Sequence, residues 1–305
     1  MMAGIDEKQL ARLSGECLDT FKKMPRLIDL DVSEGDSLIV VGDSHGDIDC
    51  VRSIVHQFYE AENGSTITLK SDNTRILFLG DYVDRDERDL ENLLYILSLA
   101  LRYPSRIFLL RGNHEEISMN HMYGFVNNLE LRGLRDWYPV FERIFKLLPL
   151  ACRVRNQGIF CCHGMIPAMP GIVKLRDIAS LPAAARLEQW DPVTVQLLWN
   201  DPDGEERPAS AENIRGAGLS IGKNDLDEFL AVNQLRLVIR SHQVFPAGYR
   251  FFFQKRVLSI FSKPNYGMYH NNATIAILHG DGRIDVLSKG GCDATFTIAD
   301  TIKLT

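Results

Sequence analysis

Three short apolar runs, each ending in a glycine-bearing cluster of acidic, amide and imidazole side chains, constrain this chain more than any other feature. Ser37 to Val41 leads into Gly42-Asp43-Ser44-His45-Gly46, and Ile76 to Leu79 leads into Gly80-Asp81-Tyr82-Val83-Asp84-Arg85. Ile107 to Leu110 leads into Arg111-Gly112-Asn113-His114-Glu115. Helical patterns over Ile48 to Tyr59 and Leu90 to Tyr103 lie between the runs, so the order is strand, helix, strand, helix, strand. This alternation predicts βαβ crossovers and a largely parallel sheet, with ligands gathered at the carboxyl ends of its strands. Any one cluster alone reads equally well as an Asp-Gly turn or a helix N-cap. Three in succession at equivalent positions leave that bland explanation little room.

The second half adds short strands at Ile159 to Cys162, Leu237 to Arg240, Tyr249 to Phe253, Arg256 to Phe261, Ala273 to Leu278 and Arg283 to Leu287, several of them expected antiparallel. His163 follows the first of these and His242 the second. Thus His45, His114, His163 and His242 all stand where strands end, whereas His56, His121, His270 and His279 have no such setting and read as surface or locally satisfied residues. The donors are too many for one tetrahedral ion. They suggest two metals about 3.5–4 Å apart sharing a carboxylate, a pair suited to phosphoester hydrolysis by an activated water.

Elsewhere the pattern is plainer. Gly4 to Lys23 carries apolar residues at helical spacing and ends before Pro25. Asn127 to Leu148 is also helical in pattern, and Met165 to Pro208, with six of the twelve prolines, predicts ordered irregular loops. The longest apolar stretch, Leu93 to Leu101, is too short to span a bilayer, and the first 23 residues lack the apolar core of a signal peptide. The six cysteines show no spacing of a disulfide framework or zinc site, so a reduced, cytoplasmic setting is expected. A net charge of −6 without a Lys/Arg-rich run argues against general nucleic-acid binding. No repeat or low-complexity linker divides the chain, which predicts one domain over residues 1–305: an N-terminal helical segment (1–30) and a core (37–287). The short polar ends carry no recognisable regulatory domain, which predicts a stand-alone catalytic unit; the sequence does not say whether regulatory subunits bind.

With these residues in place, the chain resembles the phosphoprotein phosphatases, serine/threonine protein phosphatases within the calcineurin-like metallophosphoesterases. The resemblance runs in family order through the three clusters, Cys162-His163-Gly164, Leu198-Trp199-Asn200-Asp201-Pro202, Arg240-Ser241-His242-Gln243 and Phe261-Ser262-Lys263-Pro264-Asn265-Tyr266. It implies an α+β fold, an α/β/β/α sandwich of two mixed sheets flanked by helices, with a dinuclear site at the strand ends. It further implies Asp43, His45 and Asp81 as ligands of one divalent ion and Asp81, Asn113, His163 and His242 as ligands of the other, with manganese expected in the test tube and iron or zinc as alternatives. His114 resembles the general acid, with Asp84 orienting its ring, and Arg85, Arg215 and Tyr266 resemble phosphate-site residues. For Arg85 and Arg215 a structural ion pair is the competing role, for Asn113 a turn, and for Tyr266 and Trp199 core packing. The implied substrates are phosphoserine and phosphothreonine in proteins. A dinucleoside tetraphosphate hydrolase and a binding scaffold without turnover are the competing functions.

Three positions depart from the family pattern. Asp86 replaces the usual glycine after Arg85, which either weakens phosphate binding or points away. Met165 replaces the second glycine after His163 and is expected to narrow the approach to it. Gly267 stands where many members carry a cysteine, so inhibitors that attach to that thiol are expected to bind only reversibly.

Overall fold

A computed structural model describes residues 6–62, 66–69, 73–183, 190–291 and 295–304. Two six-stranded sheets stack face to face. The first runs, edge to edge, Thr297–Lys303, Arg283–Lys289, Ala273–His279, Ser37–Val41, Thr74–Phe78 and Ile107–Leu109. Its last three strands are parallel, as the βαβ pattern requires, and the first three join them antiparallel. The second sheet runs Leu27–Leu30, Ala151–Val154, Ile159–Cys162, Leu237–Arg240, Val257–Ile260 and Tyr249–Phe252.

The pleat explains why the central strands read as unbroken apolar runs. Successive side chains face opposite sides of a sheet. Leu38 and Val40 therefore enter the core between the sheets, where they join Leu77, Cys161, Ile239 and Leu258. Ile39 and Val41 face outward to a core shared with the helices Glu7–Phe21, Ile48–Phe58, Asp89–Arg102 and Tyr138–Phe145. Phe160, Cys162 and Val238 face outward on the second sheet, against Pro192–Trp199 and Lys223–Val232. A strand buried on both faces has no polar side to alternate, and each such side chain contributes on the order of 1.5–3 kcal/mol. The result is the four-layer α/β/β/α arrangement.

Several expectations need correction. The segment 1–30 is not wholly helical: its described helix ends at Phe21, and Leu27–Leu30 is a strand parallel to Ala151–Val154. Gly4 and Ile5 lie outside the described residues. Several second-half strands are antiparallel as expected, Tyr249–Phe252 with Val257–Ile260 and Ala273–His279 with Arg283–Lys289, but the latter two belong to the first sheet, and Ile159–Cys162, Leu237–Arg240 and Val257–Ile260 are mutually parallel in the second. Asn127 to Leu148 divides into Phe125–Leu131, a short 3-10 turn and Tyr138–Phe145, with Gly133 at φ +70° breaking the helix. Among its described residues the proline-bearing region also holds two helices, Leu175–Ala179 and Pro192–Trp199, the second started by Pro192 in the first turn and capped by Asp191. Among the described residues no helix is long and apolar enough to cross a membrane. The five described cysteines are free and buried, and Cys292 lies outside the described residues.

Candidate active site

Loops from the carboxyl ends of both sheets converge on a cleft of about 250 Å³. Two glycines let the first-sheet loops touch. A Cβ on Gly80 (φ +114°) would lie 2.3 Å from the Gly112 nitrogen, and one on Gly112 would lie 2.1 Å from Asp81 Oδ1. Glu115 clamps the same loops, accepting hydrogen bonds from the backbone N–H groups of Asp81 (2.8 Å), Tyr82 (2.9 Å) and Gly112 (2.8 Å). From the other sheet, the Ser241 hydroxyl donates to Asp43 and lies 2.8 Å from the Ile260 carbonyl, while the His242 N–H donates to Asp43 Oδ1 at 3.1 Å. His45, Asp81, Asp84, Arg85 and His242 all take positive φ, between +37° and +71°. Non-glycine residues held there mark strain that the surrounding bonds must sustain.

The ring nitrogens report what this cluster is built to hold. His45 Nδ1 lies 3.0 Å from the Val83 carbonyl, and His163 Nδ1 lies 3.2 Å from the Leu79 carbonyl. Those partners assign the proton to Nδ1 in each ring and leave Nε2 as a bare lone pair. His45 Nε2 then faces Asp81 Oδ2 at 3.5 Å and Asp43 Oδ2 at 3.7 Å. His163 Nε2 faces Asn113 Oδ1 at 2.9 Å and Asp81 Oδ2 at 3.4 Å, with His242 Nδ1 at 3.1 Å. His242 Nε2 is buried without a hydrogen-bond partner. Acceptors facing acceptors repel one another unless a cation lies among them, and a carbonyl-oriented imidazole is the usual form of a metal-binding histidine. Two donor sets meet the spacing: His45, Asp81 and His114, and Asp81, His163 and His242, within 4.8 Å in each set. Asp81 is common to both.

Burial explains the titration of these groups. It raises Asp81 well above the usual carboxylate value, reinforced by the charges of Asp43 and Glu115, and lifts Asp43 to about 6. It lowers His45, His163 and His242 well below the usual imidazole value, so all three are neutral and able to donate lone pairs. The residues present therefore fit a pair of divalent cations.

His114 stands beside this cluster. Its Nδ1 lies 2.7 Å from Asp84 Oδ2, a carboxylate that also accepts from Asn120 Nδ2 (3.0 Å) and the Phe125 N–H (2.9 Å). Burial raises Asp84 to about 7 and these hydrogen bonds only partly offset it; the contact through Nδ1 directs the remaining His114 nitrogen away from Asp84. Arg85 lies 3.5 Å over the Tyr123 ring, and Tyr266 stacks on His45 at 5.1 Å; both line the cleft. Arg215 reaches the same cleft from the second-sheet side, its Nε donating to Asp201 Oδ2 at 2.6 Å. Asp201 in turn binds the buried Arg240 at 3.0 Å. Arg215 thus combines an ion pair with exposure to the cleft, and Trp199 combines core packing with an edge contact to His242 at 5.9 Å.

All the residues singled out by the resemblance converge here. Of the departures, Asp86 points away from the cleft onto Lys263, at 2.9 Å. Met165 does not narrow the approach to His163, because its side chain is buried in the outer core of the second sheet and does not line the cleft. Of the four histidines set aside from sequence, His56, His121 and His270 are exposed, whereas His279, contrary to expectation, does end a strand, Ala273–His279, but its Nε2 pairs with Asp285 at 2.9 Å and it does not line the cleft. Glu115, Tyr123, Asp201 and Ser241 were not assigned from sequence, and only their adjacency to assigned residues could have signalled them.

Residues 37–246 match the calcineurin-like phosphoesterase family, more than half of the chain. The chain belongs to the calcineurin-like phosphoesterase family. Within it, the chain is similar to the serine/threonine-protein phosphatase 5 of Solanum lycopersicum, 35% identical over 249 residues, which cover 81% of this chain and 42% of that protein. The chain therefore spans less than half the length of this curated relative. A solved protein serine/threonine phosphatase from Saccharomyces cerevisiae superposes with a TM-score of 0.82 at 26% identity, covering 99% of this phosphoesterase and 91% of the yeast chain. A cold-active protein-tyrosine phosphatase of a Shewanella species shares the fold alone, with a TM-score of 0.62 at 13% identity over 92% of this chain and 84% of the other.

Proposed function

We propose that this phosphoesterase hydrolyses phosphoserine and phosphothreonine monoesters in proteins, as a single catalytic domain over residues 1–305. The observation that carries this reading is the convergence of unprotonated His45 and His163 nitrogens on Asp81, in the same cleft as Arg85, Arg215 and His114. Asp43, His45 and Asp81 would hold one divalent ion, and Asp81, Asn113, His163 and His242 the other. When bound, such ions supply polarisation of phosphate oxygens and a water of lowered pKa for in-line attack. Manganese is the first candidate, and the mixed oxygen and nitrogen donors also accept iron or zinc.

The chain's own groups account for the rest. Arg85 and Arg215 offer planar guanidinium groups that can each grip two phosphate oxygens. His114, held through Nδ1 by Asp84, gives the proton on Nε2 to the departing seryl or threonyl oxygen. In the free site burial lowers His114 to about 3, and the charges of Arg85 and Arg215 add to this. A bound phosphate dianion offsets those two charges, so substrate itself favours the protonated acid. Tyr266, stacked on His45, closes one side of the cleft. The free, buried state of the five described cysteines supports a reducing, cytoplasmic setting.

The test is phosphate release by chelator-stripped protein, with and without added manganese, on matched phosphothreonine, phosphoserine and phosphotyrosine peptides and on a dinucleoside tetraphosphate. Manganese-dependent release from the first two, lost in His114→Asn, is the expected result. Preference for the nucleotide would move the function to nucleotide hydrolysis, and bound metal without turnover on any substrate would make the chain a scaffold.

A further inference from the structure

Three site-bearing loops meet on one ion pair behind the cleft. Lys263 Nζ donates to Asp86 Oδ2 at 2.9 Å and to the His45 carbonyl at 2.8 Å. Lys263 is 7% exposed, and its acidic partner lies 177 residues away in the chain. The turn carrying His45 packs directly on Asp86: a Cβ at Gly46 (φ +79°) would lie 2.6 Å from Asp86 Cβ. Asp86 also adjoins Arg85, whose guanidinium lies over Tyr123 and lines the cleft. A free carboxylate at this position would compete with phosphate for Arg85. The other nearby cation, Arg88, stays 4.0 Å from Asp86 and is engaged by Asp49 at 2.7 Å.

We propose that Lys263 is a positioning residue for phosphate binding, neutralising Asp86 so that Arg85 remains available while tying the His45 turn to the Asp81-to-Asp86 loop. This rests on the phosphomonoesterase reading above for its kinetic consequence. Within the chain it explains how an acidic residue is tolerated beside a phosphate-gripping arginine. It also separates charge from packing, because removing the lysine leaves a competitor for Arg85, whereas removing both charges leaves none.

The decisive experiment compares Lys263→Met, Asp86→Asn and the double variant with the parent, each manganese-loaded. KM and kcat are measured on a phosphothreonine peptide, together with the rise in melting temperature on adding inorganic phosphate. Lys263→Met is expected to raise KM about tenfold with kcat within about threefold, and to diminish the phosphate-induced rise. Asp86→Asn keeps that rise, and the double variant returns KM to within about threefold of the parent. A double variant as weak as Lys263→Met, or a Lys263→Met protein with unaltered phosphate response, would overturn the proposal. Should Lys263→Met not fold, Lys263→Gln, which can still donate to the His45 carbonyl, carries the same expectation. If the parent hydrolyses no phosphopeptide, the functional reading fails, while the phosphate-dependent melting still decides the role of Lys263.

Discussion

The two walls of the cleft solve opposite electrostatic problems. The first-sheet wall concentrates buried acids: burial raises Asp81 and Glu115, and brings both Asp84 and Asp89 to about 7. The second-sheet wall concentrates bases, with His163, His242 and Arg240 all lowered, again by burial. Backbone strain is divided unevenly too, since His45, Asp81, Asp84 and Arg85 take positive φ on the first wall and only His242 among the site residues does so on the second. Neither wall is comfortable alone. The acids lack charge compensation and the imidazole lone pairs lack acceptable partners, and cations between the walls would relieve both. The difference suggests a division of labour in the proposed reaction: the first wall carries the shared Asp81 and the proton donor His114, whereas the second adds the donors His163 and His242 and, in Arg215, grip.

The largest effect should come from the residue both donor sets share. Asp81→Asn removes the charge proposed to bridge the ions and is expected to impair the binding of both, lowering turnover by about 10³-fold or more. Elemental analysis of the purified variant checks this, and two metals per chain at parental affinity would remove Asp81 from the bridging role. His114→Asn, on the same wall, should lower kcat by about 10²–10⁴-fold while metal content stays near the parent's. Equal turnover in variant and parent would take His114 out of the mechanism.

Arg215→Lys probes the other wall and should act more weakly and differently. Lysine keeps the charge but loses the planar fork and the Nε bond to Asp201. KM on a phosphopeptide is expected to rise about tenfold, with kcat within about threefold of the parent. A fall confined to kcat would erase the proposed difference between the walls.

This division also governs how much of the molecule was legible in the sequence. The first wall is local: Asp43, Asp81 and Asn113 each follow a strand whose fully apolar character arises from burial on both faces, so motif and fold signal arrive together. The second wall is assembled from distant pieces. The Ile159–Cys162 strand pairs with Leu237–Arg240 across more than seventy residues, and a four-residue strand such as Leu27–Leu30 carries too little pattern to be distinguished from a helix end. Helix Pro192–Trp199 was hidden because Pro192 reads as a breaker, whereas in the first turn it loses no hydrogen bond. The partners Glu115 and Asp201 act through contacts that only the folded chain creates. Asp86 shows the same limit, since nothing in its neighbourhood along the chain announces Lys263.

The smallest expected effect concerns the stability of the first wall. Asp89 is buried behind Asp84, accepts from the Asp84 N–H at 3.2 Å and from Asn128 Nδ2 at 3.1 Å, and leaves Oδ1 buried without a partner. Burial raises its pKa to about 7, above the value near 3.9 of an unfolded chain. The folded state therefore holds a proton that the unfolded state gives up. Below about pH 4 both forms are protonated and Asp89 costs nothing; as pH rises toward about 7 the unfolded chain ionises first, and stability falls. Above about 7 both are ionised and the loss stays constant. Asp89→Asn cannot titrate, so its stability relative to the parent should improve between pH 5 and pH 8, by on the order of 1–2 kcal/mol. Urea unfolding of both chelator-stripped proteins at the two pH values checks this, because metal binding then contributes to neither. A difference that stays flat with pH would mean that the first wall already compensates Asp89, and the electrostatic contrast between the walls would then rest on the remaining raised acids, Asp43, Asp81, Asp84 and Glu115.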